Sequence, residues 1–142
     1  MIRFQLVTLD GIKYDEEVYE VILPTLDGYI GVLPGHMSLV SVATDGVISV
    51  RKNAQDPDDF MERFASNGGV IEVSDDVLTV LVDAADHADE INELEAKEAL
   101  ERAKKLKAEA KDEISLEKAQ SLIDRSAVRI QVAGLKRRNR RN

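Results

Sequence analysis

The composition of this chain changes abruptly after Val82, and one kind of secondary structure cannot serve both sides of that change. Before it, short apolar stretches alternate with turn residues. Ile2, Phe4 and Leu6 alternate with Arg3, Gln5 and Val7, the period of a half-buried strand. Asp10-Gly11 and Asp27-Gly28 are turn signals, with a second strand expected around 17–23 and ended by Pro24. Gly31–His36 is a brief strand entering a loop shaped by Gly and Pro. Residues 39–42 and 47–51 flank Asp45-Gly46 and read as a hairpin. Residues 53–59, with Pro57, read as a loop. Residues 60–66 and 69–73 read as two strands, with Gly68-Gly69 as a tight turn, and residues 77–82 as a strand after Asp75-Asp76. Short strands with turn signals at this spacing indicate a sandwich or a barrel.

After the change, residues 89–110 contain neither Gly nor Pro, and Ala, Glu, Lys and Leu dominate. These are strong helix formers. Asp89 is the expected N-cap of a first helix, with Glu90 and Glu93 where the helix dipole favours negative charge. A break at 111–114, a second helix capped by Ser115 and a stop at Gly134 complete the pattern. Ala96, Ala99, Ala103, Leu106 and Ala110 recur at spacings of three and four, as do Leu116, Ala119, Ile123, Ser126, Ile130 and Ala133. Two such stripes joined by a short loop describe an antiparallel helical hairpin. Its seam is mostly alanine. At ~25 cal/mol per Å² each buried Ala contributes far less than a Leu, so the pairing is close but weak.

The formal charge of −8 divides into −11 over residues 1–87 and +3 over residues 88–142. The acidic half argues against nucleic acid; the basic half suits an acidic surface. No apolar run approaches the ~18 residues that span a bilayer, and the first residues lack the apolar stretch of a signal peptide. With no Cys, thiolate chemistry and disulfides are absent. The chain has only His36 and His87, and it carries no His-Glu-x-x-His, no Walker loop and no Gly-x-Gly-x-x-Gly. An enzyme is disfavoured, and neither a metal nor a cofactor is expected. Two features suit docking. One is the loop carrying Tyr29, Ile30 and His36, where His36 could instead cap local backbone groups. The other is the ridge of Lys118, Arg125, Arg129 and Lys136, which spacing alone does not distinguish from a solvated helix face. The basic block 136–142 reads as a frayed, solubilising end or as a contact with an acidic surface. These features fit a free-standing adaptor for an acidic protein or a sensor of a small ligand held between the two parts.

The stretch Pro24-Thr-Leu-Asp-Gly-Tyr-Ile-Gly-Val-Leu-Pro-Gly-His36 resembles the Gly-x-x-Gly-Val-Leu-Pro-Gly-His loop of the epsilon subunit of bacterial F-type ATP synthase. Ser66-Asn-Gly-Gly-Val-Ile-Glu-Val73, the strand at 77–82, the Asp83-Ala-Ala85 exit and the Ala-rich hairpin follow in the same order. The resemblance implies a mainly β plus α chain, with a ten-stranded β-sandwich over residues 1–86 and a regulatory helical hairpin over residues 87–142. It implies a non-catalytic rotor subunit on the cytoplasmic face of the bacterial cell membrane, associated peripherally through the complex. The implied partners are the gamma subunit, the membrane rotor ring of c subunits, and the alpha and beta catalytic subunits in an inhibited state. Gly28, Tyr29, Ile30, Gly31 and His36 match the segment facing the ring. Arg125 and Arg129, with Lys118, match basic positions that meet an acidic segment of beta when the hairpin extends and hydrolysis stops. Some relatives bind ATP through a pattern like Ile-Asp-x-x-Arg-Ala. Here Asn92 replaces the Asp and Glu95 the Arg, so no nucleotide site is expected.

Overall fold

The computed structural model of the chain describes the backbone of residues 1–141 and the side chains of residues 1–136. It divides into two compact units, Met1–His87 and Ala88–Asn142. The first unit contains eight strands: β1 (Ile2–Thr8), β2 (Gly11–Val18), β3 (Glu20–Thr25), β4 (Gly28–Val32), β5 (Leu39–Ala43), β6 (Gly46–Arg51), β7 (Glu62–Ser74) and β8 (Val77–His87).

Two long strands organise this unit. β7 and β8 stay in one antiparallel register from Ser74 opposite Val77 to Phe64 opposite His87. Asp75 and Asp76 make their turn, with φ of 49° and 61°. Such a two-residue turn matches the right-handed strand twist. The half of the ribbon nearest the turn joins β1 and β2 on one side and β5 on the other. The other half joins β6, which leads on to β3 and β4. One hydrogen-bonded sheet therefore folds into two layers around a single core that includes Phe4, Leu6, Val21, Leu23, Val32, Ile48, Ile71 and Leu78. Across that core Tyr14 packs on Phe4 and Phe64, with ring centroids 5.4 and 5.7 Å away. Burial, reinforced by Glu16 and Glu62, pushes the Tyr14 phenol above its ordinary range.

Several expectations change here. Eight strands replace ten, because β7 and β8 each run unbroken through both layers. Gly68-Gly69 lies inside β7 at the bend between the layers. Gly69 sits opposite Val82, and a Cβ on it would stand 1.8 Å from the Leu81 carbonyl oxygen. Glycine is there for close backbone approach. The hairpin about Asp45-Gly46 does not form. β5 and β6 follow β7 in one shared register, Ala43 opposite Gly69 and Gly46 opposite Ser66, so Thr44-Asp45 is a corner in an interrupted strand. Gly68 N donates to Asp45 Oδ1 at 2.8 Å, and Thr44 N donates to Pro24 O at 3.1 Å. Pro24 remains in β3 opposite Tyr29. The region expected as one strand at 17–23 is split at Tyr19 between β2 and β3, and Phe60 ends a short 3₁₀ turn, Asp58–Phe60.

The second unit begins with a 3₁₀ turn, Ala88–Glu90, followed by helices α1 (Glu93–Glu109) and α2 (Glu113–Arg141). Asn92, not Asp89, caps α1: its side chain accepts from Glu95 N at 3.1 Å. Asp112, not Ser115, caps α2, accepting from Ser115 N at 2.7 Å and from the Ser115 hydroxyl at 3.2 Å. Ser115 is thus the third residue of the helix and binds back to its own cap. Gly134 does not stop α2, which continues to Arg141. A mid-helix Gly costs only ~1 kcal/mol, no Pro follows, and Leu135 and Lys136 favour propagation. The expected frayed tail is helical in its backbone through Arg141, and its side chains beyond Lys136 lie outside the described residues. The alanine seam holds at Ala96, Ala103, Ala119 and Ala133, with Ser126 buried as expected and Val128 and Val132 buried in addition. Leu106 and Leu116, expected in the seam, are exposed. Among the described residues, no helix is long and apolar enough to cross a membrane.

The Gly69 approach gives a direct test. Gly69→Ala is expected to cost at least ~2 kcal/mol in urea unfolding of the full chain, because backbone rather than a pliable side chain must give way. Gly68→Ala, whose Cβ would lie 3.5 Å from the nearest atom, should stay within ~1 kcal/mol of the parent.

Candidate functional site

The loop residues singled out in the sequence lie along one sheet edge. Among the described residues β4 pairs only with β3 and is the last strand of the sheet. Its entry turn is locked locally: Thr25 Oγ1 donates to Gly28 O at 2.6 Å and accepts from Asp27 N at 3.2 Å. Gly28 has φ of 107°, a conformation that a side chain would strain. Tyr29 is exposed, yet its hydroxyl accepts from Val47 N at 3.1 Å, which fixes the ring across the Gly46 backbone. Ile30 is half-buried against the core, and Gly31 is exposed.

His36 lies beyond the far end of β4, so the five residues do not converge on one point. Five strand residues separate the two turns by about 15 Å. Leu33–His36 is a turn closed by His36 N donating to Leu33 O at 3.1 Å, with Gly35 at φ 82°. Gly35 N donates to Asp76 Oδ1 at 2.7 Å, clasping this turn to the tip of the β7–β8 ribbon. His36 Nδ1 lies 2.7 Å from the carbonyl oxygen of Met37, the local backbone contact that its position at a loop end allows. The edge therefore offers a fixed tyrosine at one end and a clasped Pro-Gly turn at the other.

In the second unit, Lys118 and Arg125 are exposed on α2 and Arg129 is half-buried. Lys136, expected to extend the ridge, instead places its ammonium 2.7 Å from Asp89 Oδ1. The sequence reading missed the apolar members of this face. Ile114 and Leu122 are exposed, and with Lys118, Arg125 and Arg129 they recur at spacings of four, four, three and four. The face is thus mixed, apolar and cationic, suited to an acidic amphipathic segment. The signal was present as Ile114 and Leu122 at i, i+8 around Lys118. Leu116 and Ile123, which fall in the seam pattern, stand near them in the sequence.

Asn92 and Glu95, the altered positions of the nucleotide pattern, are joined in the α1 cap. Removing the cap in Asn92→Ala should destabilise the first turn of α1 by ~1 kcal/mol, read as faster amide exchange confined to that turn. Asp112 adds a pH dependence. Hydrogen bonds from the Ser115 backbone and hydroxyl hold its carboxyl below the ordinary 3.8. Its capping contribution is therefore complete above that value and is lost as pH falls through the lower folded pKa. Amide exchange at the start of α2 should quicken on that acid side, and Asp112→Asn should abolish the pH dependence while keeping the turn ordered.

Residues 1–88 match the family model described as ATP synthase, Delta/Epsilon chain, beta-sandwich domain. Residues 89–134 match its companion, the long alpha-helix domain of the same chain. Among solved structures, the chain is similar to one in the Euglena gracilis mitochondrial ATP synthase, a cryo-EM structure of OSCP/F1/c-ring in rotational state 1. That match has a TM-score of 0.75 and 23% identity, over 93% of this chain and 80% of the other. A second, in the central stalk/c-ring of the Tetrahymena thermophila mitochondrial ATP synthase, has a TM-score of 0.51 and 14% identity, over 63% of this chain and 68% of the other. At these identities the structural likeness speaks for the fold.

Proposed function

The chain belongs to the ATP synthase delta/epsilon family, and we propose that it is a central-stalk rotor subunit with no active site of its own, coupling proton flow to ATP synthesis and restraining hydrolysis. The observation that carries this reading is the match of both family domains, in order and without a gap, over residues 1–134. In this reading the sandwich docks on the gamma subunit and on the membrane rotor ring, with the β4 edge from Gly28 through Tyr29, Ile30 and Gly31 to the His36 turn facing the ring. The chain sits on the cytoplasmic face of the bacterial membrane and meets it only through the complex.

The hairpin is the regulatory part. Its seam of Ala96, Ala103, Ala119 and Ala133 gives up little apolar area when opened, so a partner offering larger side chains can outcompete it. When extended, Lys118, Arg125 and Arg129 meet an acidic segment of the beta subunits beside alpha, and hydrolysis stops. No nucleotide is bound in this process, because Glu95 places negative charge where a phosphate-binding cation would be needed.

The stalk assignment is tested by affinity purification from the host membrane, where gamma should accompany the chain in about equal amounts. Arg125→Ala with Arg129→Ala should raise ATP hydrolysis by the assembled complex several-fold while gamma still co-purifies; an unchanged rate in a complex that this subunit inhibits removes both residues from the mechanism. Isothermal titration with ATP should give no binding at micromolar concentrations.

A further inference from the structure

The sequence contains one Asn-Gly step, Asn67-Gly68, and the fold places it inside β7 at the bend between the layers. The step is chemically distinctive. The side-chain carbonyl carbon of an asparagine lies within reach of the next backbone nitrogen, and glycine has no side chain to hinder their approach. The fold leaves this peptide bare for the interior of a long strand. Toward β8, pairing passes from Asn67 with Ala84 to Gly69 with Val82 and skips Gly68. On the other side β6 ends its pairing at Gly46 with Ser66, and β5 begins its own at Ala43 with Gly69. The Thr44-Asp45 corner therefore faces Asn67 and Gly68. In place of a strand carbonyl, Gly68 N donates to Asp45 Oδ1 at 2.8 Å. Asp45 is exposed, and Asn67 and Gly68 are half-buried, so water reaches the step.

We propose that Asn67 is a site of spontaneous deamidation and that the Asp45 carboxylate holds the reaction in check. The reaction needs no partner but water. Gly68 N gives its proton to solvent base and bonds to Asn67 Cγ, closing a succinimide ring, and the side-chain nitrogen leaves as ammonia. Water then opens the ring at either of its two carbonyls. One opening leaves aspartate. The other leaves isoaspartate, in which the main chain runs through the side-chain carbonyl. Asp45 opposes ring closure twice. Its hydrogen bond occupies the Gly68 proton that must leave, and its negative charge disfavours an anionic nitrogen 2.8 Å away. The strand pairing on either side adds a third restraint, because extended backbone keeps Asn67 away from the ring-closing geometry.

The reaction therefore proceeds from molecules in which the corner has opened. Its products fall where the fold can least absorb them. Aspartate sets a second carboxylate one residue from the nitrogen that Asp45 already binds. Isoaspartate adds an atom to the main chain of β7 two residues before Gly69, whose approach to the Leu81 carbonyl fixes the bend. The step is irreversible, so each molecule accumulates the time its corner has stood open.

The test uses the full chain, incubated in mildly alkaline buffer either folded or in urea. The peptide containing residue 67 is weighed for the gain that replaces NH2 by OH, and isoaspartate is read by enzymatic methyl transfer. Conversion should be at least about tenfold faster in urea, and Asp45→Ala should raise the folded-chain rate about tenfold, the scale of a hydrogen bond to a charged group. Asn67→Gln should abolish the product, and Gly68→Ala should slow its formation even in urea, because the added Cβ hinders ring closure. Ile48→Val, which loosens the buried core without touching the step, should leave the folded-chain rate within about twofold. If Asp45→Ala does not fold, Asp45→Ser, which keeps a short acceptor without the charge, should still raise the rate several-fold. A folded Asp45 variant that converts no faster than the parent overturns the proposal. So does a parent chain that converts equally fast folded and in urea, or an Ile48→Val chain accelerated as much as the Asp45 variant.

Discussion

The first unit depends on how closely two backbones approach at Gly69. With no side chain there, β7 passes within contact of the Leu81 carbonyl, and the β7–β8 ribbon bends while keeping one register from end to end. Each half of the ribbon then recruits its own neighbours, so one sheet closes over its own apolar face. Gly68 N and the Asp45 carboxylate hold the corner in the adjoining strand at the same level. Two sheets joined by loops would have to find each other by packing alone. Here the covalent continuity of two strands sets their distance and angle, and the core of Phe4, Leu6, Ile48 and Ile71 fills the space that remains.

Much of this was legible in the residues, and the failures have specific causes. The period-two alternation in β1 and the turn at Asp75-Asp76 follow from local chemistry, and both stand in the structure. Asp45-Gly46 and Gly68-Gly69 carry the same kind of turn signal, yet one is a corner and the other a close approach inside a strand. The difference lies in the bond between Gly68 N and Asp45 across 23 residues, which no local window contains. The helix caps failed by three residues in opposite directions. Asp89, Asn92, Asp112 and Ser115 are all competent cap residues, and only the backbone chooses among them. At the candidate site, the residues from Gly28 to His36 were found by pattern, but their separation along β4 required the strand to be seen. The alignment of Val7, Ile12, Leu81, Val70 and Val42 across neighbouring strands was invisible for the same reason. Val7, Val42, Val70 and Leu81 are ordinary strand residues until pairing sets them side by side.

The two units differ in the size of the side chains they bury. In the sandwich, large side chains such as Phe4, Leu6, Leu23 and Ile71 are fully buried, and the outward side chains are held to a fixed spacing by the paired strands. A surface fixed in this way binds without paying to order itself. In the hairpin, four of the buried seam positions are alanine, while Ile114 and Leu122 remain exposed beside Lys118 and Arg125. A helix pair seamed by alanine gives up less apolar area on opening than one seamed by leucine, so the sandwich core and the hairpin seam stand at opposite ends of the scale of burial in this chain.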